Sequence, residues 1–153
     1  MLTEPITQAG DAARARLQAS QAQQPTDAAT PPRVLVAEDD PDVRSLLRCV
    51  IEAEGYVVDA VADGHEALEH CRQRRVDLVV LDVMMPRLTG FEVVAHLRDE
   101  PATARIPVLI VSARGSESDI VSGFDLGVSD YVTKPFKIAE LRARIRALLA
   151  RQA

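Results

Sequence analysis

Residues 76–82 read VDLVVLD, an aliphatic run broken only by Asp77 and closed by Asp82. A run this continuous belongs to a strand buried on both faces, as in a parallel sheet covered by helices. Working outward, VLVA at Val34–Ala37 and PVLIV at Pro107–Val111 have the same character, and Tyr56–Ala60 and Ser129–Val132 are weaker strands. Helical spacing fills the gaps. Val43, Leu46, Leu47, Val50 and Ile51 recur at three and four within Asp42–Glu54, and Gly55 follows as a stop. His65–Gln73 offers Ala67, Leu68 and Cys71, and Phe91–Arg98 offers Val93, Val94 and Leu97. Asp119–Leu126 offers Ile120, Val121 and Phe124 as its core face, and Ile138–Ala150 offers Ile138, Leu141, Ile145, Leu148 and Leu149. Five βα units in succession give an α/β fold, a doubly wound five-stranded parallel sheet.

Composition fits that reading. The 153 residues are 47% hydrophobic, with three Phe, two Tyr and no Trp, so the core is aliphatic. A net charge of −5 argues against non-specific nucleic-acid binding, which needs clustered Lys and Arg. No secretory signal is visible, and no stretch nears the ~18 apolar residues of a membrane span. Cys49 and Cys71 lack a metal-type spacing and fit reduced thiols, so a cytoplasmic setting is expected. His65, His70 and His96 fall in helical patterns and are read as structural. Residues 1–32, rich in Ala and Gln and interrupted by Pro5, Pro25, Pro31 and Pro32, read as a disordered or weakly helical tail ahead of a domain over 33–153.

In a doubly wound sheet the working site lies outside the carboxyl ends of the strands. The residues there are Glu38, Asp39 and Asp40 after the first strand, Asp82 after the third, Ser112 after the fourth and Lys134 after the fifth. Arg outnumbers Lys sixteen to two, and both lysines, Lys134 and Lys137, fall in one short segment. Each residue alone has a bland explanation. Asp40-Pro41, for instance, has the form of a helix start, with Asp40 as N-cap. Their joint placement at four strand ends is what points to chemistry. Crowded carboxylates call for a hard cation, and Mg²⁺ takes one or two of them with water and phosphate oxygens. Asp82 is then the natural nucleophile for an aspartyl phosphate, with Lys134 offsetting the charge on the transferring group.

The stretches VLVAEDDPDVR (34–44), VVLDVMMPRLTGFEVVAHLR (79–98), PVLIVSA (107–113) and GVSDYVTKPF (127–136) resemble the receiver domain of bacterial two-component response regulators. The resemblance covers about residues 33–151 and implies a flavodoxin-like sheet of order 2-1-3-4-5. It also implies that Glu38 and Asp39 help bind Mg²⁺ with Asp82 and the Met84 backbone carbonyl, and that Asp82 is the phosphoacceptor. Ser112 would bond the phosphoryl group, Lys134 would pair with it, and Tyr131 would be the switch aromatic that turns inward when Ser112 moves. The bond before Pro135 would commonly be cis. Departures from the family pattern are Glu38 where Asp is commoner, Thr89 in a loop position usually acidic or small, Ser129 for a common Asp, and Ile120 where a basic dimer-forming residue is frequent.

The resemblance implies a phosphoacceptor signalling protein that catalyses only its own phosphorylation and dephosphorylation, supplied by a sensor histidine kinase or histidine phosphotransfer protein. Only Gln152 and Ala153 follow the last helix. The expectation is therefore a stand-alone receiver that controls a downstream protein target or passes phosphate along a relay. No direct DNA binding, no membrane insertion, and a monomer or weak phosphorylation-dependent dimer complete it. Two rivals remain at this level. A haloacid-dehalogenase-type phosphatase needs a second Asp where Met84 stands, and a non-phosphorylated pseudo-receiver usually loses one of the site residues kept here.

Overall fold

A computed structural model describes residues 30–151. All of the proposed tail except its last three residues lies outside them. Five strands, β1 (Arg33–Ala37), β2 (Val57–Val61), β3 (Leu78–Leu81), β4 (Val108–Ser112) and β5 (Asp130–Thr133), alternate with five helices. These are α1 (Pro41–Glu52), α2 (Gly64–Gln73), α3 (Gly90–Asp99), α4 (Glu117–Leu126) and α5 (Ile138–Ala150). Every pairing is parallel and the order is β2-β1-β3-β4-β5, as the flavodoxin-like expectation has it. Most boundaries differ from the sequence reading by a residue or two, because helix and strand ends are set by caps and pairing, not by apolar pattern.

Side chains alternate across a strand, so the three central strands feed two cores. Val34, Val36, Leu78, Val80, Leu109 and Val111 face Leu47, Val50 and Ile51 of α1 and Leu141, Ile145 and Leu148 of α5. Leu35, Ala37, Val79, Leu81, Val108 and Ile110 face Ala67 and Leu68 of α2 and Val93, Val94 and Leu97 of α3. Losing one such leucine costs about 2–5 kcal/mol. Burial on both faces is why β3 and β4 read as unbroken apolar runs, whereas the edge strands β2 and β5 do not.

The helix N-termini face the strand ends, and local chemistry fixes them there. Asp40 caps α1 by accepting from Asp42 and Val43 N–H, with Pro41 at the first position, as the sequence indicated. Asp63 caps α2 and Ser116 caps α4, while Thr89 and Glu92 form a reciprocal capping box on α3. Helix α4 departs from expectation. Its buried residue is Gly123, Ile120 is half-buried, and Val121 and Phe124, assigned to the core by spacing, are 51% and 47% exposed. The helix approaches the domain through the gap a glycine leaves: a Cβ there would lie 3.3 Å from both the Phe91 and Tyr131 rings.

Candidate functional site

The β1 register places Glu38 one residue beyond the sheet, where its N–H donates to the Val61 carbonyl at 3.1 Å. Asp82 N–H donates to the Ala37 carbonyl at 3.2 Å, which seats the end of β3 beside the end of β1. Lys134 N–H donates to the Ser112 carbonyl at 2.9 Å and brings the end of β5 alongside β4. All the strand-end residues selected from sequence therefore gather at one edge. One oxygen each of Glu38, Asp39 and Asp82 lies within 4.8 Å of the others.

Glu38 and Asp82 are buried, 1% and 6% exposed, while Asp39 is exposed. The Lys134 ammonium bridges the two buried acids, donating to Glu38 Oε1 at 2.8 Å and Asp82 Oδ2 at 2.9 Å. The remaining carboxylate oxygens are also held. Asp40 N–H donates to Glu38 Oε2 at 3.1 Å, and Met84 N–H donates to Asp82 Oδ1 at 3.1 Å. Arg44 reaches back from α1 to the Glu38 carbonyl at 2.8 Å and the Asp39 carbonyl at 3.4 Å, tying down the acidic loop. Nothing in the sequence pattern marked Arg44 for that task.

Burial pushes the Glu38 carboxyl above its usual range, the Lys134 and Asp40 hydrogen bonds oppose this, and the Asp82 charge adds to it. Burial works against the Lys134 charge as well, but hydrogen bonds to Glu38 and Asp82 outweigh it and raise Lys134 above the ordinary lysine value. One ammonium shared by two buried acids leaves the crevice net negative. Two carboxylates at this spacing repel by about 3 kcal/mol at an effective dielectric near 20. An all-oxygen, negatively charged donor set of this kind fits Mg²⁺.

Backbone packing shapes the crevice wall. A Cβ on Gly90 would lie 2.3 Å from the Asp82 carbonyl oxygen, and one on Gly64 2.2 Å from the Leu88 carbonyl oxygen. Only glycine lets α3 and α2 approach the loop after β3 so closely. That loop carries Arg87 at φ 75°, with its guanidinium 3.8 Å from Asp63. Ser112 is fully buried and its Oγ accepts from Arg114 N–H at 3.2 Å. The Tyr131 ring is buried against Gly123, and its hydroxyl donates to the Arg114 carbonyl. The Lys134–Pro135 peptide is cis. Ser129, which stands for a family Asp, accepts from Val108 N–H through its hydroxyl.

A five-stranded 2-1-3-4-5 sheet with an acidic crevice at its carboxyl edge defines a flavodoxin-like, CheY-like domain. The chain belongs to the response regulator receiver domain family, whose model matches residues 34–146. It is 43% identical over 120 residues to the DNA-binding dual master transcriptional regulator RpaA of Synechocystis, covering 78% of this chain and 50% of that protein. Among solved structures, the Francisella response regulator 1452 receiver domain superposes with a TM-score of 0.75 at 36% identity, covering 80% of this chain and 99% of that one. The receiver domain of the sensor histidine kinase PA1611 from Pseudomonas aeruginosa superposes with a TM-score of 0.73 at 27% identity, covering 79% and 99%. That structure carries a magnesium ion coordinated in its active site cleft.

As a receiver domain the chain is a signalling phosphoacceptor of two-component systems, not a classical enzyme. The chain spans about half the length of the curated relatives it matches. The expectation of no direct DNA binding is overturned by those relatives, which include transcriptional regulators, one named as DNA-binding. The acidic balance behind it measured only these 153 residues and carries no information about the other half of such a protein. Among the described residues no helix is long and apolar enough to cross a membrane.

Proposed function

We propose that this receiver takes a phosphoryl group onto Asp82 from a phosphohistidine on a sensor kinase or phosphotransfer protein. The observation that carries the reading is the Lys134 ammonium clamped at 2.8 and 2.9 Å between two buried acids, in a cluster of three carboxylates. An Asp82 oxygen attacks phosphorus, the P–N bond to the imidazole breaks, and the imidazole leaves with the electron pair and takes up a proton. The product is an acyl phosphate. Lys134 keeps a cation beside the Asp82 carboxylate and the negatively charged phosphoryl oxygens it meets, and the Met84 and Asp40 N–H groups orient the carboxylates. Glu38, Asp39, Asp82 and the Met84 carbonyl would hold Mg²⁺, which would supply positive charge against the phosphoryl oxygens.

Ser112 then bonds the phosphoryl group, and Tyr131 fills the space behind it. The α4–β5–α5 surface changes and a partner surface reads it, or the phosphoryl group passes on along a relay. The test is intact-protein mass after incubation with Mg²⁺ and acetyl phosphate. A single phosphoryl adduct, lost with chelator and with Asp82→Asn, supports the reading. No adduct from acetyl phosphate or from phosphorylated kinase refutes it and leaves a pseudo-receiver that uses the fold for binding alone.

A further inference from the structure

Arg114 stands two residues past Ser112, in the loop between β4 and α4, and three different parts of it touch three different parts of the site. Its N–H donates to Ser112 Oγ at 3.2 Å. Its carbonyl accepts the Tyr131 hydroxyl. Its guanidinium pairs with Asp119 Oδ1 at 3.0 Å and lies 3.9 Å from Met84 Sδ, across the mouth of the crevice. Asp119 is fixed in turn, because Ser116 Oγ donates to its Oδ2 at 2.7 Å and accepts from its N–H at 3.1 Å. The loop between Ser112 and α4 is thus fastened at its centre by a side-chain ion pair. The fastened residue presents the carbonyl on which the switch tyrosine rests.

We infer that Asp119 is a positioning residue: by holding the Arg114 guanidinium, it fixes the Arg114 carbonyl where it keeps Tyr131 inward. This rests on the reading of Tyr131 as the switch and sets its resting balance. Tyr131 is seated by the gap at Gly123 and by the Arg114 carbonyl. The Arg114–Asp119 pair ties the first turn of α4 to the β4–α4 loop by charge, beside Ile120, which packs on the core.

The chain has two Tyr and no Trp, so a Tyr56→Phe background leaves Tyr131 as the only emitting residue. Acrylamide quenching of its fluorescence then reads how far the ring is exposed, without any phosphodonor. Arg114→Gln removes the guanidinium but keeps the N–H and carbonyl that touch Ser112 and Tyr131. Asp119→Asn removes the negative charge. Each is expected to raise the exposed-to-buried ratio of Tyr131 by about two- to fivefold, the range one exposed ion pair can supply. The double variant should go no further than either single, because both remove the same pair. Asp119→Glu should restore most of the burial. Unchanged quenching in both single variants, or effects that add in the double variant, would overturn the inference. Intact mass with acetyl phosphate on the same samples keeps the two readings apart. Failure of the Tyr56→Phe parent to phosphorylate from both acetyl phosphate and phosphorylated kinase refutes the phosphoacceptor reading, whereas normal phosphorylation with unaltered quenching refutes only the latch.

Discussion

Lys134→Met is the most informative single perturbation of the crevice. Met keeps an apolar stem of similar reach and removes only the ammonium. In the native protein that ammonium bridges Glu38 and Asp82 at 2.8 and 2.9 Å, and both acids are almost wholly buried. Breaking a buried pair by removing one partner costs about 3–5 kcal/mol, since the other charge stays behind uncompensated. The Lys134 side chain is 21% exposed, so water takes up part of the loss and the expected cost at pH 7 is about 2–4 kcal/mol. At roughly 4 °C per kcal/mol for a domain of this size, the melting temperature should fall by about 8–16 °C. The pH dependence has a definite sign. The Glu38 carboxyl is held above 4.5 in the folded state, so the folded chain takes up that proton before the unfolded chain does. This contribution to stability therefore grows as pH falls through the window from the raised value to 4.5, and is absent above it. Without Lys134 to oppose the rise, the window widens, so the gap between wild type and variant should narrow on acidification. Mg²⁺ at pH 7 should narrow it too. The assay is urea and thermal unfolding at several pH values, with and without Mg²⁺. A variant as stable as wild type at pH 7, or a gap that ignores pH, would refute the electrostatic coupling of the three residues.

Gly90→Ala should destabilise the domain by about 1–3 kcal/mol in urea unfolding, because its Cβ would sit 2.3 Å from the Asp82 carbonyl oxygen and backbone must yield. Slower phosphorylation should accompany the loss, since the displaced residue is the proposed nucleophile. Arg98→Met should cost about 2–4 kcal/mol by the same assay. The guanidinium bonds the Gly127, Ala104 and Ile106 carbonyls with no carboxylate partner among the described residues, and each charge-assisted bond contributes about 1.5–3 kcal/mol less what water replaces. Of the two cysteines, Cys49 is exposed, while burial pushes the Cys71 thiol up to about 12. A thiol reagent at pH 8 should therefore label one site in the native protein and two in denaturant.

The parts of this molecule legible from sequence are those where one residue's environment decides its type. Val79, Val80, Leu109 and Ile110 had to be apolar because both faces of their strands are covered, and their runs announced the sheet. Asp82, Ser112 and Lys134 were legible because a strand end is a defined place in a doubly wound fold. What sequence hid was set by neighbours distant along the chain. Val121 and Phe124 have helical spacing, yet they face outward because α4 approaches through Gly123. Arg44 and Arg98 look like any of sixteen arginines, and only the fold shows them bonding backbone carbonyls. Strand-end logic placed Glu38 and Lys134, 96 positions apart, in one crevice, and the fold adds that the ammonium bonds Glu38 as well as Asp82.

The central claim is that Asp82, and no other residue, carries the phosphoryl group. Borohydride reduces an aspartyl phosphate to homoserine, so peptide mapping after phosphorylation and reduction locates the modified residue directly. The account predicts homoserine at position 82 alone, formed only with Mg²⁺ present, reduced in yield in Lys134→Met and absent in Asp82→Asn. Homoserine at another acid such as Asp39 or Asp40, or adduct that persists in Asp82→Asn, would contradict it.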